Sequence, residues 1–493
     1  MRNSRLAGSL LLLSSLHLPA LVAQSQTDAR PPEPSDLVSR IDAWLDAHHA
    51  IDQLSGAVLV ADGGEVVYRG ARGMADSDWG VPNTPTTKFR LASITKQFTA
   101  MLVLLLVEEG ALTLDEALTT WLPDYPAESG QKVTVRHLLN HTSGIPSYTD
   151  QPGFLQEEGK VELPVTEFVA RYCSDPLDFE PGSQWHYNNS GYFLLGALVE
   201  QVTGKTFRDA LRERVLDPLG MDDTDVDDEY AVVPGRATGY DDLLGGRRVA
   251  LWLDMSVPYA AGGLYSTVDD LWKWDRALRS GSLLGDELTR EMFTPGLENY
   301  GFGWRIEIPE GGEWASEDTV VQHTGGMPGA STLIWRQPGR DRCVIVLGNS
   351  SGTAHHAILM GLLALLEGRE PPPARPRGDF EIARRVLAEG IEAGLADLAK
   401  WPQQVREEYI ERDVNSIAYG LLEQRRFDEA IRLFEFLTVA YPKSANTWDS
   451  LGEGHLRAGN IENAIAGYEK ALELDPSSTT IPPILEGLRR RSR

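Results

Sequence analysis

The sequence predicts an α+β fold: an antiparallel sheet flanked by helices, followed by a small all-α segment. Three observations carry this. Apolar runs of strand length stand at both ends of a long region, with a helical middle between them. They are Ser55-Gly-Ala-Val-Leu-Val60 and Glu65-Val-Val-Tyr68 at one end, and Ser331-Thr-Leu-Ile-Trp335 and Cys343-Val-Ile-Val-Leu347 at the other. A stiff proline-rich stretch, Glu370-Pro-Pro-Pro-Ala-Arg-Pro-Arg-Gly378, closes that region. Beyond it the chain is helical and self-similar: Ala430 and Ala464 are 34 apart (464 − 430 = 34), as are Pro442 and Pro476 (476 − 442 = 34), and Asp428-Glu-Ala-Ile matches Glu462-Asn-Ala-Ile at the same offset.

In chain order, residues 1–23 read as a secretory signal. Arg2 and Arg5 precede the apolar Leu6–Val22, and Ala20-Leu-Val-Ala23 offers small residues for cleavage. The polar, proline-containing residues 24–36 are a linker. Asp36–Ala50 is an amphipathic helix that opens a domain over residues 37–368. Asp62-Gly63-Gly64, between the first two strands, is a hairpin signature. Phe98, Met101, Leu102, Leu105 and Leu106 recur at helical spacing, and Gly110 stops that helix. Gly191-Tyr-Phe-Leu-Leu-Gly-Ala-Leu-Val-Glu200 is helix-like, and His355–Glu367 is the closing helix. Residues 369–378 are a linker and 379–493 a helical region. Within it, Trp448-x-x-Leu451-Gly452-x-x-His455 follows the first half of a tetratricopeptide repeat. Two such repeats, from about Val414 to Asp475, are too few to be stable alone. Helices in Asp379–Tyr409 and Pro483–Arg491 are expected to cap them.

The formal net charge of −26 becomes −28 on loss of residues 1–23, which hold two arginines and no acidic residue. Such acidity argues against nucleic acid and anionic membrane surfaces as partners. No long apolar run follows the N-terminal segment, so no membrane span is expected after signal removal. The expected partners are a small-molecule or peptide substrate and, through residues 379–493, a protein. The expected location is periplasmic or extracellular. Of the two cysteines, Cys343 lies in a strand-like run as a small hydrophobe; the spacing from Cys173 does not decide whether they pair.

The chemistry concentrates in three places. Ser93-Ile94-Thr95-Lys96 puts a hydroxyl and an amine one turn apart at the start of an apolar helix, where the amine can take the hydroxyl proton. A second such spacing, Ser129-Gly130-Gln131-Lys132, lies among Pro126 and Gly130 and reads as a loop. Tyr187-Asn188-Asn189 sits on a short connection before a helix, placing a proton-handling phenol beside an orienting amide. A buried tyrosine with a capping asparagine would give the same residues. His323-Thr324-Gly325-Gly326 lies beside a strand, where small residues let a substrate approach the backbone.

Other chemistries lack their residues. There is no Gly-x-Ser-x-Gly elbow and no His-Glu-x-x-His. His137 and His141 are four apart, but no acidic base lies between them and Thr142-Ser143-Gly144 ends the helix. The pairs His48-His49 and His355-His356 read as solvated helix ends. Gly204-Lys205-Thr206 lacks the earlier glycine of a phosphate loop.

Ser-x-x-Lys, then Tyr-x-Asn, then His-Thr-Gly, in that order, resembles the serine β-lactamase-like superfamily, in its branch of class C β-lactamases, penicillin-binding proteins, D-aminopeptidases and esterases. His137–Gly144, Ala260–Thr267 and Tyr300–Trp304 are similar to segments of that branch, and the resemblance spans about Leu37–Gly368. It implies a serine hydrolase working through an acyl-enzyme, with no cofactor and no metal. Ser93 would be the nucleophile and Lys96 its base. Tyr187 would be general base or relay, and Asn189 would bond Lys96 or the substrate amide. His323 would orient Tyr187 or touch substrate, with Thr324 and Gly325 beside it. The backbone N–H groups of Ser93 and Gly326 would hold the oxyanion. Class C β-lactamases carry lysine where this chain has His323. A neutral imidazole there fits a D-amino-acid peptide, peptidoglycan fragment or small ester as substrate. The alternatives are a β-lactamase and an inert scaffold that binds partners through its repeats.

Overall fold

The computed structural model describes residues 34–151, 153–244, 246–309 and 316–491; the signal-like residues 1–23 and most of the linker 24–36 lie outside them. The chain divides into two compact units. One runs to Asp241 and resumes over Val249–Ala374; the other joins Asp242–Arg248 to Arg375 and beyond. That short internal segment of the second unit has no counterpart in the sequence reading.

The first unit is built on six antiparallel strands: β1 (Gly56–Asp62), β2 (Glu65–Arg72), β3 (Arg305–Glu307), β4 (Val320–Met327), β5 (Ala330–Gln337) and β6 (Arg342–Gly348). Their order across the sheet is β3-β4-β5-β6-β1-β2. The β1–β6 pairing, with Val58 opposite Val346, joins strands from the two ends of the region. The β1–β2 turn is made by Gly63 and Gly64, both at positive φ (59° and 85°), as a two-residue hairpin requires.

Both faces of the sheet are buried, and the side-chain alternation of each strand sorts its residues between two cores. Ala57, Leu59, Ala61, Ile345 and Leu347 point into one; Val58, Val60, Val344 and Val346 point into the other. The helix Val268–Ser280 packs on the first face, against β1 and β6, and α1 (Pro34–His49) and α4 (His355–Leu366) cover the second, while α2 (Thr95–Glu108) and α3 (Asn189–Thr203) pack together in the larger core. α1 and α4 pack together on the second face, through Ile41, Trp44, Ile358 and Leu362. They meet closely: a Cβ on Gly361 would lie 2.1 Å from the Trp44 indole, so even alanine there would force the helices apart. α2 lies in the larger core, and its residues Thr95–Leu104 are all buried. A helix enclosed on every side fixes its first turn rigidly, and the first turn of α2 carries Lys96.

In the second unit two helix pairs repeat: α5 (Glu411–Glu423) and α6 (Phe427–Ala440), then α7 (Ala445–Arg457) and α8 (Ile461–Leu474). Each boundary of the second pair lies 34 residues after its counterpart (445 − 411 = 34; 461 − 427 = 34). α7 and α8 touch through small residues, a Cβ on Gly467 falling 2.8 Å from the Gly452 Cα.

Some expectations need correction. The first helix begins at Pro34, not Asp36; proline suits a first turn, where its missing N–H has no helical partner. Ser129 lies in a one-turn helix, Ala127–Gly130, not a loop. His48 and His355 are buried rather than solvated. His48 Nδ1 is 2.9 Å from Gln53 Oε1 and His355 Nδ1 is 2.8 Å from Ser331 Oγ, so each has a neutral hydrogen-bonding role inside the fold. Cys173 and Cys343 are both buried and unpaired.

Candidate active site

Ser93 sits in a 3-10 turn, Ala92–Ile94, that runs directly into α2. The preceding Ala92 has φ +49°, a left-handed conformation rare for a residue with a side chain. The surrounding main chain holds it there. Leu91 N donates to Leu264 O (2.8 Å), and Thr332 Oγ1 donates to Leu91 O (2.9 Å). One turn on, Lys96 is fully buried. Its Nζ lies 3.2 Å from Ser93 Oγ, 2.8 Å from Asn189 Oδ1 and 2.8 Å from Ala261 O. No carboxylate forms an ion pair with it among the described residues, and burial drives its pKa well below that of an ordinary lysine.

Tyr187, Asn188 and Asn189 lead into α3 and divide the work. Asn188 caps the helix: its Oδ1 accepts from Gly191 N at 2.6 Å, and its amide also donates to Ile145 O. Asn189 accepts from Lys96 and donates through Nδ2 to Thr149 Oγ1 (2.9 Å), while its backbone N donates to Ser147 Oγ (3.1 Å). With both amide atoms and its main chain engaged, Asn189 has one orientation. Burial raises the Tyr187 pKa above that of an ordinary phenol, and the Ser93 hydroxyl near it pulls the other way. Lys96 Nζ lies 4.8 Å from the Tyr187 ring centroid.

His323 stands on β4, where its Nδ1 is 2.7 Å from Thr324 O. A carbonyl only accepts, so Nδ1 carries the hydrogen and Nε2 accepts from the Tyr300 hydroxyl at 2.8 Å. Burial pushes the His323 pKa down to about 3. His323 is thus neutral and committed at both nitrogens. It does not orient Tyr187 by a hydrogen bond; their ring centroids are 6.2 Å apart.

A cleft of about 320 Å³ opens over these groups, lined by Ser93, Tyr187, Asn189, His323, Thr324 and Gly326. Gly325 does not line it. A Cβ there would lie 2.1 Å from Leu91 O and 3.2 Å from the Ala92 Cβ, so Gly325 lets β4 approach the Ser93 turn rather than the substrate. Among the described residues, nothing lies within 4 Å of the Cβ position of Gly326. Sequence reasoning assigned no role to several neighbours: Ala261, Thr149, Ser147, Tyr300, His141 and Arg305. Ala260–Thr267, Tyr300–Trp304 and His137–Gly144 had been singled out only as similar segments; the structure shows why they matter. Ala261 O receives Lys96, Tyr300 holds His323, and a Cβ on Gly303 would lie 2.8 Å from Lys96 O. His137 and His141 do not share a helix face, since the helix Val135–Leu139 ends before His141.

The family described as Beta-lactamase matches residues 41–369. Penicillin-binding protein 4* of Bacillus subtilis (strain 168) is 31% identical over 355 residues, covering 66% of this chain and 75% of its own. Esterase EstB of Burkholderia gladioli is 33% identical over 313 residues, 55% of this chain and 78% of its own. Among solved structures, D-amino acid amidase from Ochrobactrum anthropi SV3, complexed with L-phenylalanine, aligns with a TM-score of 0.58 at 29% identity, over 68% of this chain and 99% of that one.

Proposed function

Because the chain belongs to the Beta-lactamase family, whose fold and serine-hydrolase character it shares, we propose that it is an exported hydrolase that acylates Ser93 and acts on a D-amino-acid peptide, a peptidoglycan fragment or a small ester. The observation that carries this is the environment of Lys96. A neutral amine has two hydrogens and one lone pair. Asn189 Oδ1 and Ala261 O can only accept, so they take the two hydrogens and leave the lone pair for the hydroxyl of Ser93 at 3.2 Å.

Lys96 then removes the Ser93 proton as Oγ attacks the substrate carbonyl carbon. The backbone N–H groups of Ser93 and Gly326 receive the oxyanion. Tyr187, a protonated phenol, passes its proton to the leaving amine or alkoxide and recovers one from Lys96. Water then attacks the acyl-enzyme, giving its proton to Lys96 through the same phenol, and Lys96 passes a proton to Ser93 Oγ as the Ser93–acyl bond breaks and the acid leaves. The similarity to an esterase and a D-amino acid amidase supports the substrate class. The test is kcat/KM for a p-nitrophenyl ester, D-phenylalanine amide, a D-Ala-D-Ala peptide and a cephalosporin. Cephalosporin turnover faster than all the others would sink the proposed preference, and no covalent labelling by a fluorophosphonate would favour the inert scaffold.

A second reading, β-lactam hydrolysis, draws support from Arg305. Its guanidinium lines the cleft and lies 5.3 Å from the Trp185 ring, with no carboxylate in ion-pair range among the described residues. It supplies the fixed positive charge that His323 lacks. Arg305→Gln should therefore weaken carboxylate-bearing substrates and spare a neutral ester.

We also read α5–α8 as two tetratricopeptide repeats that bind a protein partner, and residues 1–23 as the export signal. No helix among the described residues is long and apolar enough to cross a membrane. Edman sequencing of secreted protein should begin near Gln24; retention in the cytoplasm would refute export.

A further inference from the structure

One residue holds the main chain on both sides of Tyr187. His141 O accepts from His186 N at 2.9 Å, and His141 Nδ1 accepts from Asn188 N at 3.1 Å. Presenting a carbonyl and a side chain to the same short segment requires an unusual backbone, and His141 has φ +63°, in the left-handed region. The side chain carries a second cost. With Nδ1 accepting, Nε2 bears the hydrogen, and that buried nitrogen has no hydrogen-bond partner among the described residues. Its surroundings are aromatic: the imidazole centroid is 4.4 Å from that of Tyr187, 4.5 Å from Tyr300 and 5.2 Å from Tyr192. A glycine would relieve the backbone, and an apolar residue would bury no orphan N–H. Histidine does what neither can: it brings an acceptor to Asn188 N and a ring packed at a 48° tilt beside that of Tyr187.

We propose that His141 is a positioning residue for Tyr187, fixing the peptide groups before and after it and one side of its ring so that the phenol stays on Ser93. It carries no proton in the reaction. Burial holds the imidazole neutral, and its accepting nitrogen is occupied by a backbone N–H. The proposal rests on the assignment of Tyr187 as proton relay. It explains why the segment His137–Gly144 belongs to the site although His141 does not line the cleft: a hydroxyl that must pass a proton tolerates little displacement, and an error of about 1 Å costs about 100-fold in rate.

The experiment is a double-mutant cycle on p-nitrophenyl acetate turnover, with circular dichroism and melting temperature for every variant. His141→Gly should lower kcat by about 100-fold and change KM by less than about 3-fold. His141→Asn tolerates the left-handed backbone and offers Oδ1 to Asn188 N, so it should recover about 10-fold of that loss. In a Tyr187→Phe background, His141→Gly should cost less than about 3-fold, because the group it positions is gone. Losses that multiply in the two backgrounds would overturn the proposal, as would a lower melting temperature with kcat unchanged. Should the glycine variant not fold, His141→Asn carries the cycle alone: a loss of about 10-fold beside Tyr187 and none beside the phenylalanine supports positioning, and equal losses overturn it. Tyr187→Phe that keeps wild-type kcat would remove the relay reading itself, and the His141 proposal with it. A crippled Tyr187→Phe with multiplying His141 effects would remove only the latter.

Discussion

Ser93–Lys96 and Ser129–Lys132 have the same spacing and opposite fates. Lys96 is fully buried, bonded to two carbonyl oxygens and Ser93, with no anion among the described residues to keep it charged. Lys132 is half exposed and reaches Glu180 at 3.1 Å, across a pair open to water. Ser129 is buried, but its carbonyl is spent on Lys132 N and Val133 N. A carboxylate and solvent stabilise an ammonium; carbonyl oxygens in a dry core stabilise a neutral amine far better than they stabilise a charge. Spacing decides which side chains can meet. Burial and partners decide whether their meeting makes a nucleophile.

The largest expected effect separates the two serines. Ser93→Ala should reduce ester turnover by about four orders of magnitude or more and abolish fluorophosphonate labelling, while Ser129→Ala leaves both near wild type. Labelling at Ser129, or turnover that survives Ser93→Ala, would reverse the comparison.

Next come the lysines. Lys96→Met should cost about 1,000-fold in kcat and raise the melting temperature at neutral pH. The sign follows from linkage. The Lys96 pKa is depressed in the folded state from 10.5, so between the two values the unfolded chain binds more protons and stability falls as pH falls. The gain from methionine should therefore be clear at neutral pH and shrink as pH rises towards 10.5. Lys132→Met should change neither rate nor stability by more than about 0.5 kcal/mol equivalent, as for most exposed pairs. Wild-type-like melting of Lys96→Met across that pH range would contradict a buried neutral amine.

A smaller effect tests the network behind Lys96. Thr149→Val removes the acceptor of Asn189 Nδ2 and should lower kcat by about 10-fold, with Asn189 free to turn its oxygen away from Lys96. An unchanged kcat would mean that Lys96 holds the Asn189 amide without Thr149. The smallest effect is expected from removing the second unit: a chain ending at Ala374 should keep small-ester kcat/KM within about 3-fold, and a folded truncation without that activity would make residues 375–491 part of the site.

Much of this was legible in the sequence, for identifiable reasons. The strands of the sheet alternate or run apolar, the Gly63-Gly64 turn needs positive φ, and α2 carries apolar residues at helical spacing, so each announced itself locally. Ser93, Lys96, Tyr187 and Asn189 were found because their types and order are distinctive, and the structure brings all four together. What was missed works through geometry that residue type does not reveal. Ala261 contributes a carbonyl, Gly325 an absence of side chain against Leu91 O, and His141 a left-handed turn. His323 was found, but its partner was not: Tyr300 lies 23 residues away and meets it only across the fold. The buried members of the histidine pairs were misread because polar residues at helix ends are usually wet, and only the packing around Gln53 and Ser331 made them exceptions.

The most direct measurement is the rate of fluorophosphonate labelling at Ser93 as a function of pH, with the adduct mapped to its peptide, for wild type and Lys96→Met. A neutral amine base predicts an adduct on Ser93, a rate that rises with pH and reaches its plateau well below pH 10.5, and loss of that limb in Lys96→Met. A wild-type rate still climbing in step with an ordinary lysine near pH 10.5, or an identical profile in Lys96→Met, would show that Lys96 is not the base.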